Sequence, residues 1–209
     1  MKTTNTSYFD YGSCEIIFGP MFAAKTSYLT HVLAECADIG LHVLYINHIN
    51  DIRITEYSSN SITSHSSQFS GISPKVDCVK AKNLLDINTD NYDVIGIDEG
   101  QFFDDLVINV RKWVLKLNKR VMIASLDSTF EMEPFGHAHE LICICDPNNI
   151  KKLSARCKRC MIETKPSRHF RLVDAGFTLK KNKSINKIEI GGKELYEAVC
   201  MKCHQLYSM

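Results

Sequence analysis

The chain contains no run of about 18 uncharged apolar residues, so it predicts no membrane-spanning helix. The opening Met1-Lys-Thr-Thr-Asn-Thr-Ser7 has one charge, then polar residues and no apolar stretch. No secretory leader is therefore expected, and a cytoplasmic location is. An excess of one charge sign is also missing, since 25 Lys+Arg stand against 24 Asp+Glu, net +1. At first sight that balance argues against a polyanion binder. Low hydrophobicity is absent too: 44% hydrophobic residues and 23% charged residues exclude a disordered chain. Nine cysteines without a leader read as reduced thiols or metal ligands, not as a disulfide framework. With 209 residues, a chain can bury roughly 70% of its unfolded surface and needs no staples.

What is present is an alternation of strands and helices. Cys14-Glu-Ile-Ile-Phe18 is an apolar run ending in Gly19-Pro20, a strand entering a turn. Leu29, Val32, Leu33 and Cys36 then share one helix face, which Gly40 can close. Leu41–Ile46 reads as a strand, Lys75–Lys80 as a weaker one, and Val94–Ile97 as a strand leading into Asp98-Glu99. Leu106, Val110, Trp113, Val114 and Leu117 mark a second helix, followed by a strand over Arg120–Leu126. Such alternation predicts an α/β fold with a parallel sheet flanked by helices. The Ser-, Thr- and Asn-rich segment from Asn50 to Pro74, with Thr63-Ser-His65, is too long for an ordinary connection. At about 25 residues it predicts a segment that is either disordered or functional.

After Pro147 the composition changes to short basic stretches with paired cysteines, predicting domains at 1–148 and 149–209. The neutral total divides accordingly. Residues 151–209 hold 14 Lys+Arg and 5 Asp+Glu, leaving 11 and 19 in residues 1–150.

Gly19-Pro-Met-Phe-Ala-Ala-Lys25-Thr26 lies between strand and helix, where a phosphate-binding loop belongs. Backbone N–H groups there can wrap phosphates, Lys25 can meet their charge, and the Thr26 hydroxyl can reach Mg²⁺. Asp98, ending an apolar strand, suits Mg²⁺ binding through water, as a Walker-B aspartate does. Glu99 could take a proton from a substrate hydroxyl or orient water in an ATPase. Cys157-x-x-Cys160 and Cys200-x-x-Cys203 have zinc-knuckle spacing, with 39 residues between them. Four thiolates would fill the tetrahedron, making Zn²⁺ structural. His169 and His204 are weaker candidates for one ligand position, and Cys143-x-Cys145 suits a buried element better than a metal.

These pieces in this order resemble the thymidine kinase family of the P-loop-plus-zinc type. The resemblance is carried by Gly19–Thr26, Asp51-Ile-Arg53, Asp98-Glu-Gly-Gln-Phe-Phe103, Leu126-Asp-Ser-Thr-Phe130, Pro134-Phe-Gly136, Ile190-Gly-Gly192 and Tyr196 before Cys200. It runs from about Ser13 to Cys203, and it implies a RecA-like P-loop domain with a C-terminal zinc-binding lasso. The implied reaction moves the γ-phosphoryl group of ATP to the 5′-hydroxyl of thymidine, with Glu99, Lys25 and Arg53 as catalytic residues. For ATP the resemblance assigns Gly19, Pro20, Met21, Phe22, Ala23, Ala24, Lys25, Thr26, Asp51, Arg53, Asp98 and Gln101. Thr26 and Asp98 would serve Mg²⁺. For thymidine it assigns Met21, Phe102, Leu126, Phe130, Ser167, Lys187, Ile188, Glu189, Ile190, Gly191 and Tyr196. A homotetramer and feedback by the thymidine triphosphate are implied as well, with no membrane or nucleic-acid partner.

Three positions depart from the family pattern. Ala24 replaces a glycine, Ile52 stands where Thr is usual, and Ser167-Arg168-His169 replaces Thr-x-Arg. Two other functions compete. One is a P-loop ATPase whose basic zinc ribbon grips nucleic acid, although a Zn(Cys)₄ centre would itself reduce the module's charge to about +7. The other is a kinase-like binder whose turnover is impaired by Ala24.

Overall fold

A computed structural model describes residues 9–51, 72–163, 172–181 and 191–208. Six parallel strands form the main sheet: β1 (Ser13–Phe18), β2 (Val43–His48), β3 (Asp77–Ala81), β4 (Val94–Asp98), β5 (Arg120–Ser125) and β6 (Ile150–Lys152). Their spatial order is β3-β2-β4-β5-β1-β6. Both faces are covered, so alternate residues of each strand enter different cores. Ile16, Phe18, Leu44, Ile46, Ile95, Ile97, Val121 and Ile123 face α2 (Leu106–Leu117), whose Leu106, Val110, Trp113 and Val114 join that core. Ile17, Val43, Tyr45, Val94, Met122 and Ala124 face α1 (Lys25–Asp38), which contributes Leu29, Leu33, Cys36 and Ala37.

Helix α1 comes close to the sheet because Gly96 has no side chain. A Cβ there would lie 2.3 Å from Leu33 Cδ1. The helix starts at the C-terminal end of β1, which puts its N-terminus at the sheet edge where β4 also ends. Ligands of open parallel sheets bind at this edge. Helix α2 stops where Asn118 turns left-handed and the Lys119 N–H caps the Trp113 carbonyl at 3.0 Å.

The expected α/β class is the one observed. Strand β6 comes from beyond Asn148, so the sheet itself extends past the change in composition. The expected burial of Cys143 is corrected. That thiol is exposed at the end of a run of 3₁₀ turns over Ala138–Ile144, and Cys145 is half-buried against the α2-side core.

The C-terminal segment folds on small antiparallel pairs. Strand β7 (Ala155–Arg156) pairs with β8 (Asp174–Ala175), and β9 (Phe177–Lys180) with β10 (Tyr196–Val199). Two short helices follow strand ends, α3 (Lys158–Glu163) after β7 and α4 (Met201–Tyr207) after β10. Ala155, Ala175, Leu179, Ala198 and Val199 make a core of their own around Cys157 and Cys203, and Ala23 of the β1–α1 turn packs into it. The turn is thus held by both units.

Candidate active site

Residues 19–26 connect β1 to α1 in a tight loop. Gly19 has φ +152°, and a Cβ on it would lie 2.6 Å from the Leu153 carbonyl oxygen, so only glycine fits without a shift. Lys25 is buried, and its Nζ donates to the Pro20 carbonyl at 2.9 Å, folding the side chain back over the loop. Ala24 has φ 60°, ψ 28°, a left-handed conformation that costs an L-residue of order 1 kcal/mol. Ala24→Gly is therefore expected to raise stability by up to about 1 kcal/mol in urea unfolding. A lower midpoint with an unchanged slope would refute the assignment of strain to this residue.

Asp98 ends β4 and is almost wholly buried. Its Oδ2 accepts from Thr26 Oγ1 at 2.8 Å and from the Tyr45 hydroxyl at 2.9 Å, and its Oδ1 accepts from the Glu99 N–H at 3.0 Å. Burial, and next the charge of Asp98, hold the Tyr45 phenol well above its ordinary pKa, so it remains a donor at any physiological pH. Glu99 follows in a left-handed conformation, φ 54°, ψ 43°. This strained geometry turns its carboxylate away from the strand direction, where Gln101 Nε2 donates to Oε2 at 2.5 Å. Gln101 in turn accepts from the Leu126 N–H at 3.0 Å and from Ser125 Oγ at 3.2 Å. One carboxyl oxygen each of Asp51, Asp98 and Glu99 lies within 4.8 Å of the others, and Asn47 Nδ2 donates to Asp51 at 3.1 Å. A hydroxyl and a carboxylate in contact beside a phosphate-type loop are hard oxygen ligands, the donor set that Mg²⁺ takes.

The four cysteines Cys157, Cys160, Cys200 and Cys203 also converge, with all sulfurs within 4.8 Å of one another. Cys160 Sγ is 3.6 Å from Cys203 Sγ and 3.9 Å from Cys200 Sγ. Tetrahedral zinc with Zn–S of about 2.3 Å requires sulfur separations of about 3.8 Å. The cluster fits a structural zinc site.

A family model described as Thymidine kinase matches residues 12–204. The chain belongs to the thymidine kinase family. It is 32% identical over 199 residues to the thymidine kinase of Sheeppox virus (strain KS-1), spanning 94% of this chain and 99% of that protein. It is also 32% identical over 196 residues to the thymidine kinase of Fowlpox virus (strain NVSL), spanning 92% and 96%.

Among the positions expected from sequence in this thymidine kinase family member, the structure brings Gly19–Thr26, Asp51, Asp98 and Glu99 to one end of the sheet. Gln101 contacts Glu99 and Leu126 there. Met21, Phe130 and Tyr196 border β9. The Met21 N–H donates to Thr178 Oγ1 at 3.1 Å, Lys180 Nζ lies 5.0 Å over the Phe130 ring, and Tyr196 pairs with Lys180 across the strands. Phe102 meets Phe135 edge-on at 5.7 Å and His48 at 5.5 Å. Burial pushes the His48 pKa down, so its ring is a neutral neighbour of these aromatics. Gly191 is described and half-buried. Arg53, Ser167, His169, Lys187, Ile188, Glu189 and Ile190 lie outside the described residues, as do Ile52 and Thr63-Ser-His65. His204 does not join the four-cysteine cluster, and its Nε2 hydrogen-bonds the Phe130 carbonyl at 2.8 Å.

Sequence reading passed over Tyr45, Asn47 and Thr178, and gave Phe135 no role. Tyr45 and Asn47 do stand at i and i+2 on one face of β2, but the strand expected from sequence ended at Ile46, and His48 makes its end polar as well. Among the described residues no helix is long and apolar enough to cross a membrane.

Proposed function

We propose that this chain transfers the γ-phosphoryl group of ATP to the 5′-hydroxyl of thymidine, with Glu99 as the general base. The observation that carries the reading is the Asp98–Glu99 pair. One carboxylate is tied to the phosphate loop through Thr26, and the next is turned toward Gln101 and Leu126. Phosphoryl transfer needs positioning and electrostatics above all, and these residues can supply both. The Glu99 carboxylate takes the proton from the 5′-hydroxyl as that oxygen bonds to the γ-phosphorus. The bond from that phosphorus to the β–γ bridging oxygen breaks, and ADP leaves with its electron pair. Lys25, Arg53 and the N–H groups of Gly19–Thr26 offset phosphate charge, and Asp51 and Gln101 belong to the same nucleotide-side set. When bound, Mg²⁺ neutralises charge on the β- and γ-phosphates. Thr26 and Asp98 would hold it.

The thymine ring would lie among Met21, Phe102, Leu126, Phe130 and Tyr196, with Ser167 and Lys187–Gly191 closing over it as a lasso tethered at both ends by Zn²⁺. Residues 1–148 form the catalytic unit, β6 completes its sheet from just past that boundary, and the lasso belongs to the rest of 149–209. Homotetramer assembly, feedback by the thymidine triphosphate and a cytoplasmic location complete the reading.

The test is transfer of labelled γ-phosphate from ATP to a panel of nucleosides with Mg²⁺. Thymidine should be the best acceptor. A folded, zinc-loaded protein that labels no nucleoside refutes the reading, and ATP hydrolysis stimulated by nucleic acid would replace it.

A further inference from the structure

Tyr45 lies in the middle of β2 on the α1 side of the sheet and is completely buried. Its ring is core, packed in the same cluster as Ile17, Leu29, Leu33 and Val43. Phenylalanine would fill that space equally well and would bring no polar atom into the interior, where an unpaired hydroxyl is costly. The extra oxygen therefore calls for an explanation outside packing, and its contact supplies one. The hydroxyl reaches 2.9 Å to Oδ2 of Asp98, the same oxygen that accepts from Thr26 at 2.8 Å.

The two donors come from different elements. Thr26 belongs to the first turn of α1 and Tyr45 to the neighbouring strand of the sheet, since β2 pairs directly with β4. A carboxylate held from one side by its own strand, through the Glu99 N–H on Oδ1, and from the other by a rigid buried phenol has a fixed plane. If the Thr26 hydroxyl turns its oxygen to another ligand, Tyr45 still holds Asp98. Two positions along β2, Asn47 does the same for the neighbouring acid, donating from Nδ2 to Asp51 at 3.1 Å. Strand β2 thus presents a pair of donors to two of the three clustered carboxylates.

We infer that Tyr45 is a positioning residue, acting through Asp98 to hold that carboxylate ready for the Mg²⁺ that accompanies ATP. The inference rests on the reading of Asp98 as the Mg²⁺-serving acid, and it concerns metal-dependent nucleotide binding rather than the chemical step.

Tyr45→Phe tests it, because the ring and the core are retained while one hydroxyl is lost. ATP binding is measured by calorimetry with Mg²⁺ and again in EDTA, and the ratio of the two affinities is compared between proteins. Loss of a hydrogen bond to a charged group predicts a ratio lowered about tenfold in Tyr45→Phe, with metal-free binding unchanged. In an Asp98→Asn background the same substitution should change the ratio no further, because the hydroxyl acts through the carboxylate. An unaltered ratio in Tyr45→Phe, alongside a lowered ratio in Asp98→Asn, overturns the inference and leaves the role of Asp98 standing. An unaltered ratio in Asp98→Asn refutes the role of Asp98, and the inference with it. If Tyr45→Phe melts lower but both affinities fall together, the hydroxyl is structural and the inference fails.

Discussion

Glu99→Gln is expected to lower kcat on the order of 10²–10⁴-fold while leaving the KM for thymidine and for ATP within about threefold. The substitution keeps the size of the side chain and an oxygen that can accept from Gln101 Nε2, now 2.5 Å from Oε2, so the local network has no reason to collapse. What disappears is the basic oxygen. A group used only as the proton leaves the substrate contributes to the transition state and little to ground-state binding, which is why kcat should fall alone. Steady-state kinetics with thymidine varied at saturating ATP, then the reverse, separate the two parameters. Losses shared equally between kcat and 1/KM would mean that Glu99 binds substrate and another group takes the proton. Asp98 provides the contrast. Its two oxygens accept three hydrogen bonds from Thr26, Tyr45 and the Glu99 N–H, so an amide at that position must place its NH₂ against a donor. Asp98→Asn should therefore disturb nucleotide binding as well as rate.

The main sheet was legible because burial on both faces leaves runs such as Val94-Ile-Gly-Ile97 without a charged residue, and because α1 and α2 repeat apolar residues at helical spacing. The chemistry-bearing loop was legible for a related reason: backbone N–H groups, a lysine and a hydroxyl must occur in a fixed order to wrap a phosphate. The left-handed turn at Ala24 followed the pattern even though the glycine did not, with φ 60° imposed by the loop. The C-terminal strands are only two to four residues long, too short for any period to show. Their order comes from pairing and from the cysteine cluster, contacts distant in sequence. The exposure of Cys143 was not legible from the CxC spacing, because the segment is a run of 3₁₀ turns that leaves one thiol outside. The bonds of Gln101 to Glu99, Ser125 and Leu126 were not legible, because no motif encodes such a three-way link.

Stripping zinc, or replacing Cys200 by Ser, is expected to unfold the C-terminal unit while the sheet survives. The two large cores on either side of the sheet contain none of the four cysteines, whereas the third is built around Cys157 and Cys203. Its other fully buried members are four alanines, one leucine and one valine, and Leu153, Val173 and Phe177 are only partly buried against it. Side chains that small bury too little apolar surface to order the unit alone. Structural zinc in small domains supplies an apparent free energy of about 10–16 kcal/mol, far more than such a core can replace. The damage should also reach the nucleotide side. Ala23 packs into the C-terminal unit, the Met21 N–H would lose its acceptor Thr178 Oγ1, and the Phe130 carbonyl would lose His204. A shift of about 1 Å in a positioning element can cost on the order of 10²-fold in rate, so transfer should nearly vanish. Zinc content, far-UV circular dichroism and transfer rate, followed together through a chelator titration, check this. Most of the helix and strand signal should remain while activity falls in step with zinc. Activity that persists after the metal has gone would show that the four sulfurs hold nothing the reaction needs.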